Sequence, residues 1–224
     1  MQRFEKSYWD FVQTKYEGHY NFADLRSTLS QYLDWIREYV NGKVRVLDVG
    51  CSFGYFLRLC DELGWETHGV DISRYAIDTA KVNTKAQLYL HDIENVRKSP
   101  FKEDSFDLIT MFEVIEHLAC PAMALEELNR ILKNNGRLVM ATPNLNAIER
   151  IVLKSLRKEK TWHGLYDRTH IRLFNPFSIR SLVERLDFRI LELKTPFRRF
   201  PSAINAVLEK TLIGGRIWLV AEKI

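Results

Sequence analysis

Apolar residues along the chain change their period twice. From Ala23 to Val40, Leu25, Leu29, Leu33, Ile36 and Val40 recur at spacings of three and four, which predicts an amphipathic helix stopped by Asn41-Gly42. The pattern then switches to short β-rich runs separated by helical stretches. Strands are predicted over Val44–Val49, Glu66–Val70, Gln87–Leu90, Phe106–Phe112 and Arg137–Ala141. Helices are predicted over Phe53–Leu63, closed by Gly64, over Ser73–Val82, capped by Ser73, and from Pro121 to Leu132. Such alternation requires right-handed crossovers and a doubly wound, mainly parallel α/β sheet with helices on both faces.

Beyond Thr142-Pro143 the pattern loosens. Residues 144–174 form a basic stretch without strand signal, long enough for a lid or a substrate-facing insertion. Asn175 and Pro176 open another helix running to about Leu186. Arg189–Lys194 is strand-like, Ala203–Leu212 helix-like, and Arg216–Ala221 reads as a last strand. One domain over 1–224 is expected. Its parts are a helical cap rich in aromatics (1–42), a ligand-binding core (43–143), the insertion (144–174), and a C-terminal part (175–224) that completes the sheet.

Composition narrows the class. In 224 residues, 46% are hydrophobic and 28% charged, which is enough apolar material for a substantial core and excludes a disordered chain. Charges interrupt every apolar stretch before the roughly 20 residues that a membrane helix needs. The first ten residues contain no apolar segment of the secretory kind. Cys51, Cys60 and Cys120 have no zinc-site spacing and read as free thiols, so a reducing, cytoplasmic setting is expected. The formal charge of +4 hides an asymmetry: residues 1–149 carry 17 basic and 22 acidic side chains, and residues 150–224 carry 16 and 7. A solvated basic face is the plain reading. The sharper one is a C-terminal third that meets an anion, such as a phosphorylated substrate, a nucleic acid or a membrane surface.

The chemistry concentrates after the first strand. In VLDVGCSFGYFL (46–57) a buried strand runs into a turn with Gly50 and Gly54, and a helix follows at once. Glycine lets a ligand approach the main chain and the helix N-terminus. Asp71 ends the second strand, where a carboxylate can accept both ribose hydroxyls. Together they indicate an adenosine-containing ligand, either a nicotinamide dinucleotide or S-adenosylmethionine. A dinucleotide wants Gly-x-Gly-x-x-Gly for its pyrophosphate, and Asp48 would repel that group while suiting a sulfonium and an ammonium. Asp92, after the third strand, adds an acceptor where an adenine amino group would lie. Turn and capping chemistry is the ordinary alternative for Asp48 and Asp71.

VLDVGCSFG (46–54), GVDIS (69–73), HDIE (91–94), FDLITMFEVIEHL (106–118) and LKNNGRLVMATPN (132–144) resemble the class I S-adenosylmethionine-dependent methyltransferases in order and spacing. The segment 112–118 resembles the ubiquinone-type small-molecule O-methyltransferases in particular. Ser52 departs from the family pattern, which usually has a glycine there. The resemblance implies a Rossmann-like sheet of seven strands with the last antiparallel, S-adenosylmethionine as cofactor and S-adenosylhomocysteine as product. It implies cofactor contacts from Asp48, Gly50, Cys51, Gly54, Asp71, Ile72, Asp92, Ile93 and Phe112. Asp48 and Gly50 would serve the methionine end, Asp71 the ribose, and Asp92 with Ile93 the adenine.

FEVIEHL also places Glu113, Glu116 and His117 at i, i+3 and i+4, on one face if the segment forms a helical turn. The segment is similar to small-RNA 2′-O-methyltransferases, in which Glu-x-x-Glu-His and one distant histidine bind a divalent metal. His170 is the candidate partner, and these four are the expected catalytic residues. Two carboxylates and two imidazoles suit Mn²⁺, Zn²⁺ or Mg²⁺, and without metal a histidine could act as general base. Tyr16 and Tyr20 are candidates for an aromatic cap that excludes water. Arg150, Lys154, Arg157, Lys158, Lys160, Arg168 and Arg172 are candidates for an anion-binding face, and Phe197-Arg198-Arg199-Phe200 interleaves rings with charge. The expected activity is methyl transfer to a hydroxyl of a small molecule, glycan or phosphorylated precursor. Metal-assisted RNA methylation is the alternative, although no RNA-binding module is evident. A nicotinamide oxidoreductase and a catalytically idle cofactor-binding module are more remote.

Overall fold

The computed structural model describes residues 4, 6–15, 20–148, 169–197 and 208–224. Helices α1 (Lys6–Lys15) and α2 (Phe22–Ile36) precede strand β1 (Arg45–Val49). The chain continues through α3 (Tyr55–Glu62), β2 (Glu66–Asp71), α4 (Arg74–Ala80), β3 (Gln87–Leu90) and β4 (Phe106–Phe112). It ends with α5 (Pro121–Ile131), β5 (Leu132–Pro143), α6 (Pro176–Glu184), β6 (Phe188–Lys194) and β7 (Arg216–Lys223). The seven strands form one sheet in the order β3-β2-β1-β4-β5-β7-β6. β1 pairs in parallel with β2 and β4, β2 with β3, and β4 with β5, while β7 runs antiparallel between β5 and β6. That is the doubly wound sheet with an antiparallel last strand.

Alternation along the central strands divides the core. Val46, Leu108, Val139 and Val220 pack with Tyr32, Leu33, Trp35 and Ile36 of α2 and with Phe56, Leu59 and Cys60 of α3. Leu47, Ile109, Leu138 and Leu219, at the adjacent positions, pack with Leu125 and Leu128 of α5 and Ile179 and Val183 of α6. A strand buried on both faces needs apolar residues at successive positions, and Val46-Leu47 and Leu108-Ile109 supply them.

Several boundaries differ from those expected. α2 ends at Ile36, because Glu38 and Tyr39 donate to Trp35 and Ile36 in a tightened last turn, short of Val40. β5 begins at Leu132 rather than Arg137, with an irregularity between the pairs Phe106–Leu132 and Leu108–Arg137, and Asn135 takes a φ of 60° there. Asn175 caps α6 with a reciprocal capping box to Ser178. Most of the 144–174 insertion and residues 203–207 of the expected helix Ala203–Leu212 lie outside the described residues, and the second half of that helix holds a 3₁₀ turn over Glu209–Thr211. Among the described residues no helix is long and apolar enough to cross a membrane. The three cysteines are free thiols, Cys51 and Cys60 buried and Cys120 exposed.

Candidate functional site

At the carboxyl ends of β1, β2 and β4 the chain leaves the sheet around a cavity of about 1270 Å³. This is where an open α/β sheet binds ligands, because the crossovers on either side of β1 part there. The loop after β1 is shaped for close approach. Gly50 has a φ of 72°, and a Cβ at this position would come within 2.3 Å of Val114 Cγ2. Gly54 has a φ of 75°, and its Cβ would lie 2.8 Å from Thr84 Cγ2. Glycine is required at both positions by conformation and by space. Gly50 and Cys51 donate their amides to the Val70 carbonyl at 2.8 and 3.1 Å, which ties the loop to β2.

Asp48, Gly50, Cys51, Asp71, Ile72, Asp92, Ile93 and Phe112 all line the cavity. Gly54 is not among the lining residues; it starts α3 behind the loop. Asp48 is buried in β1 and accepts from Thr110 Oγ1 of β4 at 2.6 Å. Burial pushes its carboxyl up to about 7, against the hydrogen bond from Thr110, with the Asp71 charge adding to the rise. Asp71 Oδ2 accepts from the Ser52 amide at 2.9 Å and Oδ1 from the Ser73 amide at 2.8 Å. Burial raises this carboxyl as well, and the two serine amides oppose the rise. Asp92 Oδ1 accepts from the Glu94 amide at 3.0 Å. Burial holds the Cys51 thiol well above its usual range, so it is a packed side chain rather than a nucleophile.

The segment after β4 forms a tighter turn than a helix beginning at Glu113. Glu113 still donates its amide to Ala141 of β5 at 2.8 Å, takes a φ of 55°, and pairs with Arg216 Nε at 3.1 Å. Only Ile115–His117 turns helically, as a single 3₁₀ turn. Glu113 therefore does not share a face with Glu116 and His117. Those two instead meet His170, whose segment is bound to the turn by the Ile171 and Arg172 amides, both donating to the Glu116 carbonyl at 3.0 and 3.1 Å. Ligand atoms of Glu116, His117 and His170 lie within 4.8 Å of one another.

Glu116 is buried. Its Oε2 accepts from Thr142 Oγ1 at 2.9 Å, and its Oε1 lies 3.9 Å from His170 Nε2. Burial, followed by the Glu113 charge, pushes the Glu116 carboxyl well above the ordinary range. His117 Nδ1 lies 3.1 Å from the Thr169 carbonyl, which makes Nδ1 the donor and Nε2 the acceptor nitrogen of the ring. The two imidazoles meet edge to face at 4.7 Å. His117 and His170 line the cavity, as does Glu113.

Aromatics of the N-terminal segment roof the same cavity, with Phe4, Tyr8, Trp9 and Tyr20 in its wall. Phe4 packs edge-on against His117 at 5.4 Å. Tyr20 is where a cap was expected; Tyr16 lies outside the described residues. Arg150, Lys154, Arg157, Lys158, Lys160, Arg168, Arg198, Arg199 and Phe200 also lie outside them. Arg172 is described, and its guanidinium donates to the carbonyls of Leu118 and Ala119, so it braces the turn after His117. Thr110, Thr142, Thr169 and Arg216 went unnoticed in the sequence. Each meets a site residue far away along the chain, and no local pattern could have marked it.

A glycine loop after the first strand, an acid at the end of the second and a seven-stranded sheet closed by an antiparallel strand define a class I S-adenosylmethionine-dependent methyltransferase. A methyltransferase-domain model matches residues 17–193, and the chain belongs to that family. A ubiquinone biosynthesis O-methyltransferase of Burkholderia vietnamiensis is 26% identical over 192 residues, covering 83% of this chain and 82% of the relative. A SAM-dependent methyltransferase from Archaeoglobus fulgidus superposes with a TM-score of 0.70 at 21% identity, over 96% of this chain and 100% of that one. Magnesium protoporphyrin IX methyltransferase from Synechocystis, solved with bound SAH, gives 0.69 at 18% identity over 99% and 97%. These structural likenesses establish the common fold. The nicotinamide oxidoreductase reading is set aside by the family.

Proposed function

We propose that the protein methylates a hydroxyl of a small-molecule or glycan acceptor, with the proton taken up at the His117–His170–Glu116 cluster. The observation that carries this reading is the convergence of two histidines on the cavity wall with a buried carboxylate behind them. The naming of the Burkholderia relative as an O-methyltransferase agrees with it.

The cofactor lies along the cavity with its ammonium and sulfonium toward Asp48 and Gly50, its ribose at Asp71 and its adenine near Asp92 and Ile93. Displacement at a sulfonium methyl has a good leaving group, so catalysis comes from alignment and from proton removal. Holding the acceptor oxygen about 3–3.5 Å from the methyl is the larger share, and a general base adds roughly 10²–10⁴-fold. His117 suits that role, since the Thr169 carbonyl fixes its tautomer with Nε2 as the base. Glu116 lies 3.9 Å from His170 Nε2, and because burial disfavours its ionised form, a proton reaching the cluster is shared between this carboxyl and the imidazoles.

A divalent metal also fits these residues. Glu116 Oε1 is buried with no hydrogen-bond partner, beside two imidazoles, and a buried carboxylate oxygen is costly unless a cation faces it. Glu116, His117 and His170 would hold the ion, and bound there it would lower the pKa of an acceptor hydroxyl. This convergence also favours, as the second reading, an RNA 2′-hydroxyl as acceptor.

His117→Ala and His170→Ala should each reduce turnover at least 100-fold, on the order of the general-base contribution, while S-adenosylhomocysteine affinity by calorimetry stays within about twofold. Full activity in both variants would remove the base and metal roles. Activity that survives exhaustive chelation, with no metal retained after dialysis against Mn²⁺ or Zn²⁺, leaves the histidine base alone. Parallel assays on phenolic, sugar and RNA acceptors separate the two readings.

A further inference from the structure

Asp71 is connected to the N-terminal cap through two serines. Its oxygens accept from the amides of Ser52 and Ser73 at 2.9 and 2.8 Å. The hydroxyl of each serine meets an aromatic residue of the first 20 residues. Ser52 Oγ lies 2.9 Å from the Tyr20 hydroxyl, and the Trp9 indole N–H is shared between Ser73 Oγ at 3.1 Å and the Phe4 carbonyl at 3.0 Å. Ser52 makes its contact from a φ of 50°, in the left-handed region where glycine is the ordinary occupant. The residue that bears this conformational cost is also the one that touches the cap. Ser73 also caps α4, its Oγ accepting from the Ala76 amide at 3.2 Å, so one hydroxyl joins that helix to Trp9 of the cap.

We propose that Ser52 and Ser73 form a paired latch that couples closure of the N-terminal cap to retention of the cofactor. With the cap down, Tyr20 and Trp9 hold the serines. The serine amides then hold Asp71 with its remaining lone pairs toward the ribose hydroxyls. Cofactor release requires the Tyr20–Ser52 and Trp9–Ser73 contacts to open. The inference rests on the ribose role proposed above for Asp71. It makes Tyr20, Trp9 and Ser52 determinants of cofactor residence time, although none of them belongs to the expected cofactor-contacting set. The competing account is that the cap is held only by ring packing, as between Trp9 and Phe53 at 4.8 Å, with Ser52 a passive occupant.

Ser52→Gly distinguishes the two. It relieves the left-handed backbone while removing the hydroxyl, so passive occupancy predicts equal or tighter binding. The latch predicts S-adenosylhomocysteine binding weakened about three- to tenfold, the usual worth of one hydrogen bond, as faster dissociation in stopped-flow fluorescence with no fall in Tm. Tyr20→Phe, which removes a single oxygen, should give the same loss and carries the test if Ser52→Gly fails to fold. The double variant should be no weaker than either single variant by more than about twofold, because both remove one contact. Trp9→Phe should weaken binding to a similar degree. Wild-type affinity in Ser52→Gly or Tyr20→Phe, or losses that multiply in the double variant, would overturn the latch. Asp71→Ala is the control: if it too binds S-adenosylhomocysteine normally, the ribose reading falls and the latch with it. If Asp71→Ala binds poorly while Ser52→Gly binds normally, the latch alone falls.

Discussion

At the scale of single residues, Asp48 offers the sharpest measurement. Its carboxyl titrates near 7 because it is buried, whereas in the unfolded chain it returns toward 3.8. The native state thus binds this proton more tightly, so the contribution favours folding at low pH and is lost as pH rises from about 4 through about 7. A cationic cofactor beside Asp48 prefers the ionised form and expels the proton on binding. Affinity for S-adenosylmethionine should therefore rise with pH up to about 7 and then level off. Calorimetry at pH 6 in buffers of different ionisation enthalpy should register proton release, and Asp48→Asn should abolish the release and weaken binding. No proton release at pH 6 in the wild-type protein would mean that Asp48 does not meet the cation. The sequence marks Asp48 as an acid near the loop. It does not reveal the shift, which depends on Thr110 and on burial between β2 and β4.

At the scale of elements, the glycine loop and the turn after β4 are one packing unit. Val114 Cγ2 fills the space that a Cβ at Gly50 would need, and Val114 directly precedes the turn carrying Glu116 and His117. Gly50→Ala should cost about 1 kcal/mol for the left-handed backbone and about 1–3 kcal/mol more for overpacking. It should also displace the histidine turn. Thermal unfolding should register the first effect and turnover the second, and adding Val114→Ala should recover part of both. No recovery would mean that the two loops are not mechanically joined. This coupling explains which parts of the site were legible in the sequence. Strand–loop–helix order, Gly50, Asp71 and the Asn175 cap are local patterns, and their positions follow from spacing. The grouping of Glu113 with Glu116 and His117 assumed that a helix starts where β4 ends. Glu113 instead keeps its ladder bond to Ala141 and turns to Arg216. Whether a strand continues for one more residue is decided by its neighbour, which sequence periodicity does not contain. His170 was placed by its chemistry, but the contact that brings it in, from Ile171 and Arg172 to the Glu116 carbonyl, joins segments more than 50 residues apart.

At the scale of the whole molecule, charge and sheet topology divide the chain in the same place. Asp48, Asp71 and Asp92, the acids proposed for a cationic cofactor, sit on the half of the sheet containing β1 to β3. The basic excess of 16 against 7 begins at residue 150, and the strands from that part, β7 and β6, form the opposite edge of the sheet. Lys194 and Arg216, at the ends of those strands, reach the cavity wall but face Glu192 and Glu113, so neither presents an unopposed charge. Among the described residues, then, neither of these offers an anionic acceptor a dedicated cation, and the expected attraction is to the net charge of the basic third. Such attraction is screened over about 8 Å at physiological ionic strength and about 3 Å at 1 M salt, whereas the buried Asp48 and Asp71, proposed to lie beside the cofactor, are screened far less. The two ligands should separate in a salt titration. Between 0.05 and 0.5 M KCl, the KM for an anionic acceptor should rise several-fold while kcat and the S-adenosylhomocysteine Kd stay nearly constant. A neutral analogue of the same acceptor should show no such rise. A KM indifferent to salt for every acceptor tested would make the basic third a solvated face, leaving acceptor selection to the shape of the cavity.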